Sequence, residues 1–491
     1  MGSFIINDNG NSGYSRADFT TALEGLQPLL ESGQNIKTIN GNSVLGSGNI
    51  EVNVTPPTPQ EYPQEALLTD TEKQYRASTL ARINELNPIV NGKRKYMMFG
   101  FISDLHTMPT NADINAVDDA AMQGDVTAML NASILFPNWD GDGNVSDAAA
   151  IASYIKSAWP TSDTSYYGNS SEEDIRLLGA IAHAAGFDAV FCGGDLSSGR
   201  LPYNCYSYML YQMKKMFDKY VTVPHYFTDG NHDRRYSTDV AHRDNTEWDK
   251  WLHLLNSNGA SYITTNESRY GKKSNTYYID FPVHKVRAVM RSVYEQQTDA
   301  NAFGNGPYGY NDFDALSFEH PEEASEWTAL GFCHYNTDST GLQWALSYFY
   351  SGARIGNATG AYWGGSTGYT AGFMNPNKST TNREYQSSYD AKSKNAQYGS
   401  GYPGKAALGI FYGHVHTNAE FTVTQSGERN LLNHLSIRNS NDSGYTFSIF
   451  IVDDDNYKLH WLVFGGNYGS DKVPAGFDPT AKEFTLDYRH H

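Results

Sequence analysis

The 491-residue sequence contains only three cysteines, Cys192, Cys205 and Cys333, and three thiols cannot form a closed set of pairs. A disulfide framework is therefore excluded, and folding in the cytosol is the simplest inference. The sequence also lacks any run near the length of about 18 apolar residues that a membrane helix needs. Its first residues have neither the basic region nor the apolar region of a secretory signal. We therefore expect neither a membrane span nor export by the general secretory route.

Basic residues are also scarce, with 36 Lys+Arg against 54 Asp+Glu, which gives a formal net charge of −18. Proteins that bind long nucleic acids need clustered Lys and Arg to neutralise phosphates, so this charge argues against a nucleic-acid partner. It does not exclude a phosphate substrate that is held by metal ions. A hydrophobic content of 39% with 13% aromatic residues is sufficient for a large core and excludes wholesale disorder.

The first part of the chain has a different pattern from the rest. Residues 15–30 have a short helical pattern, and residues 36–50 alternate apolar and polar side chains around an Asn40-Gly41 turn, which predicts a hairpin. Residues 54–59 form a proline-rich spacer. We therefore predict a small module at residues 1–54, a linker with a helix at residues 55–94, and the main domain at residues 95–491. The helix of the linker could act as a stalk or pack on the main domain.

The stretch Ile36-Lys37-Thr38-Ile39-Asn40-Gly41-Asn42-Ser43-Val44-Leu45-Gly46-Ser47-Gly48-Asn49-Ile50 resembles a segment of bacteriophage tail fibres and other virion proteins. This resemblance implies that the module attaches the chain to a phage particle, beside other tail proteins, and that the chain forms a homotrimer. The chain would then be synthesised in the cytoplasm of the host and end in the virion.

From residue 95 onward, short apolar runs alternate with helical patterns and are followed by hairpin-like strands. The predicted strands are 96–102, 187–192, 223–227, 276–281, 286–290, 408–412, 447–452 and 459–464, and the predicted helices, with that of the linker, are 69–86, 172–185 and 206–220. This order predicts a layered α/β fold with a mixed central sheet. Residues 296–405 are rich in Gly, Asn, Ser and Tyr, and we predict a loop-rich insertion there.

Four short motifs follow directly after predicted strands. They are Asp104-Leu105-His106, Gly193-Gly194-Asp195, Gly230-Asn231-His232-Asp233 and Gly413-His414-Val415-His416. Ligands bind beyond the carboxyl ends of strands in open α/β sheets, so the four motifs could converge on one crevice. Carboxylate, imidazole and amide oxygen are ligands for divalent metals, and residues two apart on an extended segment point to the same side. The sequence therefore predicts a metal centre.

The four motifs in this order resemble the pattern of the calcineurin-like metallophosphoesterase superfamily, which is D-x-H, G-D, G-N-H-(D/E) and G-H-x-H. The resemblance implies a four-layer α/β/β/α sandwich with two divalent metal ions that hydrolyses a phosphomonoester or a phosphodiester. It implies the following roles: Asp104, His106 and His416 hold the first metal, Asn231 and His414 hold the second, Asp195 bridges them, and His232 faces the leaving oxygen. His232 would be either a general acid or an electrostatic stabiliser. The metal could be Mn, Fe, Zn or Ni, because this ligand set suits each of them.

The sequence departs from the family pattern in two places. Ser198 stands where many members have an acid that orients the catalytic histidine, so His232 would be steered by another group, such as Asp229 or Asp233, or would work less well. Family members also have a histidine after the helix that corresponds to residues 341–346, and no histidine lies between that helix and His414. His334 and His320 precede the helix and are interpreted as ordinary surface or core histidines. We therefore expect a weak second metal site, or one that fills only when substrate binds.

Three functional hypotheses follow from these features. The first is a phage tail-associated metal-dependent phosphoesterase that acts on a phosphate ester of the host surface. The second is a structural or adhesion protein of the virion that retains the fold and has lost catalysis, which the missing histidine favours. The third is a soluble intracellular phosphatase or nuclease, which the acidic charge and the N-terminal module both disfavour.

Overall fold

The computed structural model describes two separate units of the chain, Met1–Gln60 and Glu61–His491. The described ranges are 61–107, 109–135, 147–161, 171–197, 203–230, 232–233, 245–262, 275–292, 326–334, 405–414 and 445–464, with Leu201, Leu316, Leu342 and Leu346 and, as backbone, the strands outside these ranges. All statements below concern these residues.

The first unit contains a small antiparallel hairpin. Strand β1 (Thr38–Ile39) pairs with strand β2 (Asn42–Ser43), and Thr38 lies opposite Ser43. This pairing confirms the predicted hairpin; Asn40 and Gly41, where the sequence predicts the turn, lie outside the described residues. The predicted helix at residues 15–30 and the proline-rich spacer at 54–59 lie outside the described residues.

The second unit contains the helices and strands that position the site. The helices are α1 (Asp70–Leu86), α2 (Asn111–Ala116), α3 (Asp119–Asn131), α4 (Ala148–Ala158), α5 (Ser171–Ala185), α6 (Tyr203–Tyr220) and α7 (Asn245–Leu255). The strands are β3 (Ile89–Val90), β4 (Lys93–Arg94), β5 (Met97–Ile102), β6 (Ala189–Cys192), β7 (His225–Phe227), β8 (Ala260–Tyr262), β9 (Tyr277–Phe281), β10 (Val286–Met290), β11 (Thr328–Phe332), β12 (Ala406–Tyr412), β13 (Ala419–Gln425), β14 (Glu428–Ser436), β15 (Phe447–Asp453), β16 (Lys458–Phe464), β17 (Asn467–Tyr468), β18 (Asp471–Lys472) and β19 (Glu483–Asp487). None of the described helices is long and apolar enough to cross a membrane.

Two mixed sheets form the centre of this unit. The first sheet has the strand order β19-β16-β15-β5-β6-β7, and the second has the order β13-β14-β12-β11-β10-β9-β8. In the first sheet β5, β6 and β7 are parallel, and in the second β10, β11, β12 and β14 are parallel. The parallel strands β5, β6, β10, β11 and β12 are buried along their whole length, and apart from Arg287 and Thr328 their residues are apolar, as strands covered on both faces require.

The two sheets pack face to face through aromatic side chains. Phe191 of the first sheet stacks on Phe332 of the second, with ring centroids 4.2 Å apart, and Phe99 contacts Phe332 and Phe411 edge-on. Such aromatic pairs add to the free energy that the burial of their area provides.

Helices cover the outer faces of both sheets. On the first sheet, Leu178 of α5 packs over Gly100, where a Cβ would lie 2.8 Å from the leucine Cδ1. On the second sheet, the helical residue Leu342 packs over Gly331 in the same way, at 2.6 Å. Sheets flanked by helices on both sides confirm the predicted α/β/β/α fold class.

Helix α1 packs on the main domain, which decides between the two alternatives that the sequence left open. Thr69 caps its first turn in a reciprocal capping box with Glu72. Glu72 is fully buried and pairs with Arg176 of α5 at 2.8 Å, and Ile83 is also buried. The helix is therefore a layer of the domain and not a free stalk.

Strand β11 corrects one prediction from the sequence. It lies inside residues 296–405, which were predicted as a loop-rich insertion, yet it is a central strand between β10 and β12. At residues 328–332 the prediction of loops is therefore wrong. The strand is short and contains Gly331, so its pairing with two neighbours decides its conformation more than its own sequence does.

Candidate metal centre

The loops after β5 and β6 run side by side at the carboxyl end of the first sheet. The Asp104 N–H donates to the Gly194 carbonyl at 3.0 Å, and the His106 N–H donates to the Asp195 carbonyl at 2.8 Å. These bonds continue the parallel pairing of the two strands beyond their ends. The first two motifs of the sequence therefore lie next to each other, as predicted from their positions after strands.

Four candidate ligands have a left-handed backbone. The φ angles are 55° for Asp104, 42° for His106, 53° for Asp195 and 68° for His414. Residues with a Cβ seldom adopt this region, and each such residue costs of order 1–3 kcal/mol. Backbone strain of this kind persists only where the surroundings hold it. Four of the eight described non-glycine residues with a positive φ are residues that the sequence assigned to metal binding.

The loop after β7 brings His232 to the same point. The His232 N–H donates to Asp195 Oδ1 at 2.8 Å, and its ring packs edge-on against His106, with centroids 4.7 Å apart. Gly230 lies so close that a Cβ on it would be 2.1 Å from Asp195 Oδ1, so a side chain cannot be accommodated there. Asn231, the predicted ligand between them, lies outside the described residues.

The loop after β12 connects the second sheet to Asp104. The His414 N–H donates to both carboxylate oxygens of Asp104 at 2.9 Å, and the Gly413 N–H donates to the His334 carbonyl at 3.2 Å. The two sheets therefore meet at their carboxyl ends through a carboxylate. His416, which was predicted to hold the first metal, lies outside the described residues.

His334, which the sequence analysis interpreted as an ordinary surface or core histidine, is buried inside this cluster of candidate ligands. It follows β11 directly and is fully buried, and its Nε2 is 3.1 Å from Asp195 Oδ2. Its Nδ1 is 2.8 Å from the Gly193 carbonyl, and its ring centroid is 5.3 Å from that of His414. The sequence contained a signal, a histidine two residues after an apolar run, but β11 was not recognised as a strand. His320, the other candidate, lies outside the described residues.

Two overlapping groups of side chains could each hold a metal ion. The first consists of His106, Asp195 and His232, and the second of Asp195, His334 and His414; within each group the ligand atoms lie within 4.8 Å of one another. Asp195 belongs to both groups, as a bridging carboxylate would. The set of carboxylate oxygens and imidazole nitrogens fits Mn, Fe, Zn or Ni. Since Nδ1 of His334 faces the Gly193 carbonyl, Nε2 would be its ligand atom, which is the usual arrangement of a ligating histidine.

The charges in the metal-free protein favour an ionised Asp195. Burial alone would raise its pKa, but the neighbouring His334, His106 and His232 outweigh burial and hold the pKa below its usual range. For His334, burial would lower the pKa, but attraction to Asp195 and the hydrogen bond with it, with a smaller effect of Asp104, raise the pKa to about 10. The carboxylate of Asp195 is therefore already charged in the metal-free protein, and it forms an ion pair with His334.

Both oxygens of Asp233 accept backbone amides, and the predicted role of this residue in orienting the ring of His232 stays a prediction. Its Oδ1 accepts from the Leu196 N–H at 2.7 Å and its Oδ2 accepts from the Gly230 N–H at 2.8 Å, so both oxygens are used by the backbone. Asp229 accepts from the Ser292 hydroxyl at 2.9 Å, and its predicted role in orienting His232 stays a prediction.

Residues 97–289 match a family model described as calcineurin-like phosphoesterase. The match spans β5 to β10 and includes Asp104, His106, Asp195 and His232. A crystal structure of a dimetal phosphatase from Danio rerio is similar to this chain, with 10% sequence identity and a TM-score of 0.35, over 80% of this chain and 99% of that one. A likeness at this level carries no argument about function. No curated protein sequence matches the chain significantly.

Proposed function

We propose that this chain, which carries a calcineurin-like phosphoesterase domain and is a metal-dependent phosphoester hydrolase, hydrolyses its substrate at a two-ion centre that Asp195 bridges. Asp104, His106 and His416 would hold one ion, and Asn231, His334 and His414 the other. The observation that carries this proposal is that the carboxylate of Asp195 belongs to two overlapping groups of candidate ligands, in each of which the ligand atoms lie within 4.8 Å of one another. The carboxylate and imidazole ligands of this centre suit Mn, Fe, Zn and Ni.

The residues of the chain have distinct tasks in this reaction. When bound, the two cations would neutralise the charge of the phosphate oxygens and lower the pKa of water, which are the main demands of phosphoryl transfer. Asp104, His106, Asp195 and His334 are almost completely buried, so these side chains exclude water from the inner side of the centre. His232 is half-buried, and its backbone is fixed to Asp195, so its ring lies at the open edge. There it would donate a proton to the leaving oxygen or stabilise its charge.

The placement of His334 weakens the rival hypothesis that catalysis has been lost. That hypothesis depended on a missing histidine ligand of the second ion. His334 comes from β11, beside β12 with its His414, and its Nε2 faces the bridging carboxylate. An imidazole is therefore available at the place where the sequence alone showed none.

Turnover of a simple ester tests the proposed function. We expect the purified chain to hydrolyse bis-p-nitrophenyl phosphate or p-nitrophenyl phosphate when Mn²⁺ is added, and to lose this activity when a chelator removes the metal. The release of p-nitrophenol is measured with and without Mn²⁺. A saturating series of Mn²⁺, Fe²⁺, Zn²⁺ and Ni²⁺ that produces no turnover above that of the free metal would contradict the proposal.

The finer part of the proposal concerns where the enzyme acts. The likeness of residues 36–50 to phage tail proteins and the hairpin of β1 and β2 support a virion module at residues 1–54, with the chain as a homotrimer beside other tail proteins. The substrate would then be a phosphate ester of the host surface, such as a phosphorylated polysaccharide, a teichoic-type polymer or a lipid headgroup. We expect mass spectrometry of purified particles to detect the chain. Its absence from particles, with presence in the host cytoplasm, would favour an intracellular phosphatase.

A further inference from the structure

Asp233 is a fully buried carboxylate directly after His232, and it joins two loops of the centre. Its Oδ1 accepts from the Leu196 N–H at 2.7 Å and, more weakly, from the Ser197 N–H at 3.4 Å. Its Oδ2 accepts from the Gly230 N–H at 2.8 Å. The side chain therefore fixes the loop that carries His232 to the residue that follows Asp195.

A second bond runs in the opposite direction between the same two loops. The His232 N–H donates to Asp195 Oδ1 at 2.8 Å, so each loop supplies a carboxylate that accepts an amide of the other. The loops also touch without room for side chains, since a Cβ on Gly194 would lie 2.5 Å from the Gly230 nitrogen. The pair of bonds and the close packing leave the two loops little freedom to shift against each other.

We propose that Asp233 is a positioning residue of the metal centre. By accepting the amides of Leu196 and Gly230, it sets the distance between the carboxylate of Asp195 and the ring of His232. The inference rests on the proposed function, because Asp195 would hold both ions and His232 would face the leaving oxygen. An error of about 1 Å in such a distance is sufficient to reduce turnover about 100-fold.

Asp233→Asn is the informative substitution because it keeps the size of the side chain. Each oxygen of Asp233 faces a backbone N–H, so an amide NH₂ must point at one of these donors and lose that bond. Asp174→Asn is the matched control. Asp174 is almost equally buried, and its Oδ1 accepts the Thr446 N–H at 3.0 Å. Among the described residues its Oδ2 has no hydrogen-bond partner, so an amide NH₂ can take that place without the loss of a bond.

The experiment measures Mn²⁺ affinity by calorimetry and then kcat and KM for bis-p-nitrophenyl phosphate. We expect Asp233→Asn to bind Mn²⁺ about 10–100-fold more weakly than the wild type, as the loss of outer-shell partners does in other metal sites. At saturating Mn²⁺ the kcat of Asp233→Asn should fall by a similar factor, and its KM should stay within about twofold of the wild type. The reason is that the hydrogen bonds to Asp233 hold the geometry that the transition state requires. Asp174→Asn should keep the Mn²⁺ affinity and kcat of the wild type.

Two results would overturn the inference. One is wild-type affinity and kcat in Asp233→Asn, and the other is an equal loss in Asp174→Asn, which would assign Asp233 to general stability. A wild-type chain that does not bind Mn²⁺ would instead refute the proposed function. In that case, or if Asp233→Asn fails to fold, the rate of amide hydrogen exchange in the metal-free wild type decides. Slow exchange at the Leu196 and Gly230 amides supports the positioning role of Asp233, and fast exchange at both overturns it.

Discussion

Replacing His334 with alanine should reduce the metal content from two ions to one per chain and lower kcat by at least about 100-fold. Asp195 and His414 alone would remain of the described ligands on that side of the centre. An ion that contributes several kcal/mol to stabilising the transition state corresponds to a rate factor of this size or larger. Metal content by mass spectrometry and turnover of bis-p-nitrophenyl phosphate measure the two effects.

His225→Ala is the matched control for this substitution. His225 is also a buried histidine whose Nδ1 lies near a carbonyl, that of Val223 at 3.2 Å, but it lies on β7 at the far end of the strand from the centre. Its replacement should cost stability and leave two ions bound. If His334→Ala retains two ions and wild-type turnover, then His334 is a structural histidine, and the second ion is held without it.

Replacing His232 with asparagine should leave both ions bound and lower kcat by about 10²–10⁴-fold, the range that a general acid contributes. Asparagine keeps the backbone N–H that donates to Asp195, so the loop keeps its position. The loss should be larger for an alkyl phosphate ester than for a p-nitrophenyl ester, because a poor leaving group depends more on proton donation. An equal loss for both esters would favour electrostatic stabilisation.

The control for this experiment is His183→Asn, because His183 is also half-buried but lies near the end of α5, where it contacts Thr222. It should keep the metal content and turnover of the wild type. Loss of an ion in His232→Asn would contradict the assigned role, since His232 also lies within 4.8 Å of His106 and Asp195 and would then be a ligand.

Much of the site could be predicted because its residues follow local patterns. Apolar runs marked β5, β6 and β12, and the polar motifs directly after them placed Asp104, Asp195 and His414 at one edge of the sheets. Parallel strands bring such ends together, so a linear pattern was sufficient to predict a spatial cluster. The helix at Asp70–Leu86 was likewise predicted, because Tyr75, Leu80, Ile83 and Leu86 recur at helical spacing.

What the sequence did not predict depends on contacts between distant residues. Strand β11 is five residues long and contains Gly331, and it pairs with β10 and β12, which lie far away in the chain. Without that strand His334 had no defined position, and the second metal site seemed to lack a ligand. The hydrogen bond from the Leu196 N–H to Asp233 could not be predicted for a similar reason, since the two residues lie 37 positions apart in the chain.

The number of Mn²⁺ ions bound per chain in the wild-type protein at saturation tests the central claim most directly. The two groups that share Asp195 predict two ions, with the second one lost in His334→Ala. A wild-type chain that binds one ion or none at saturation would contradict the account.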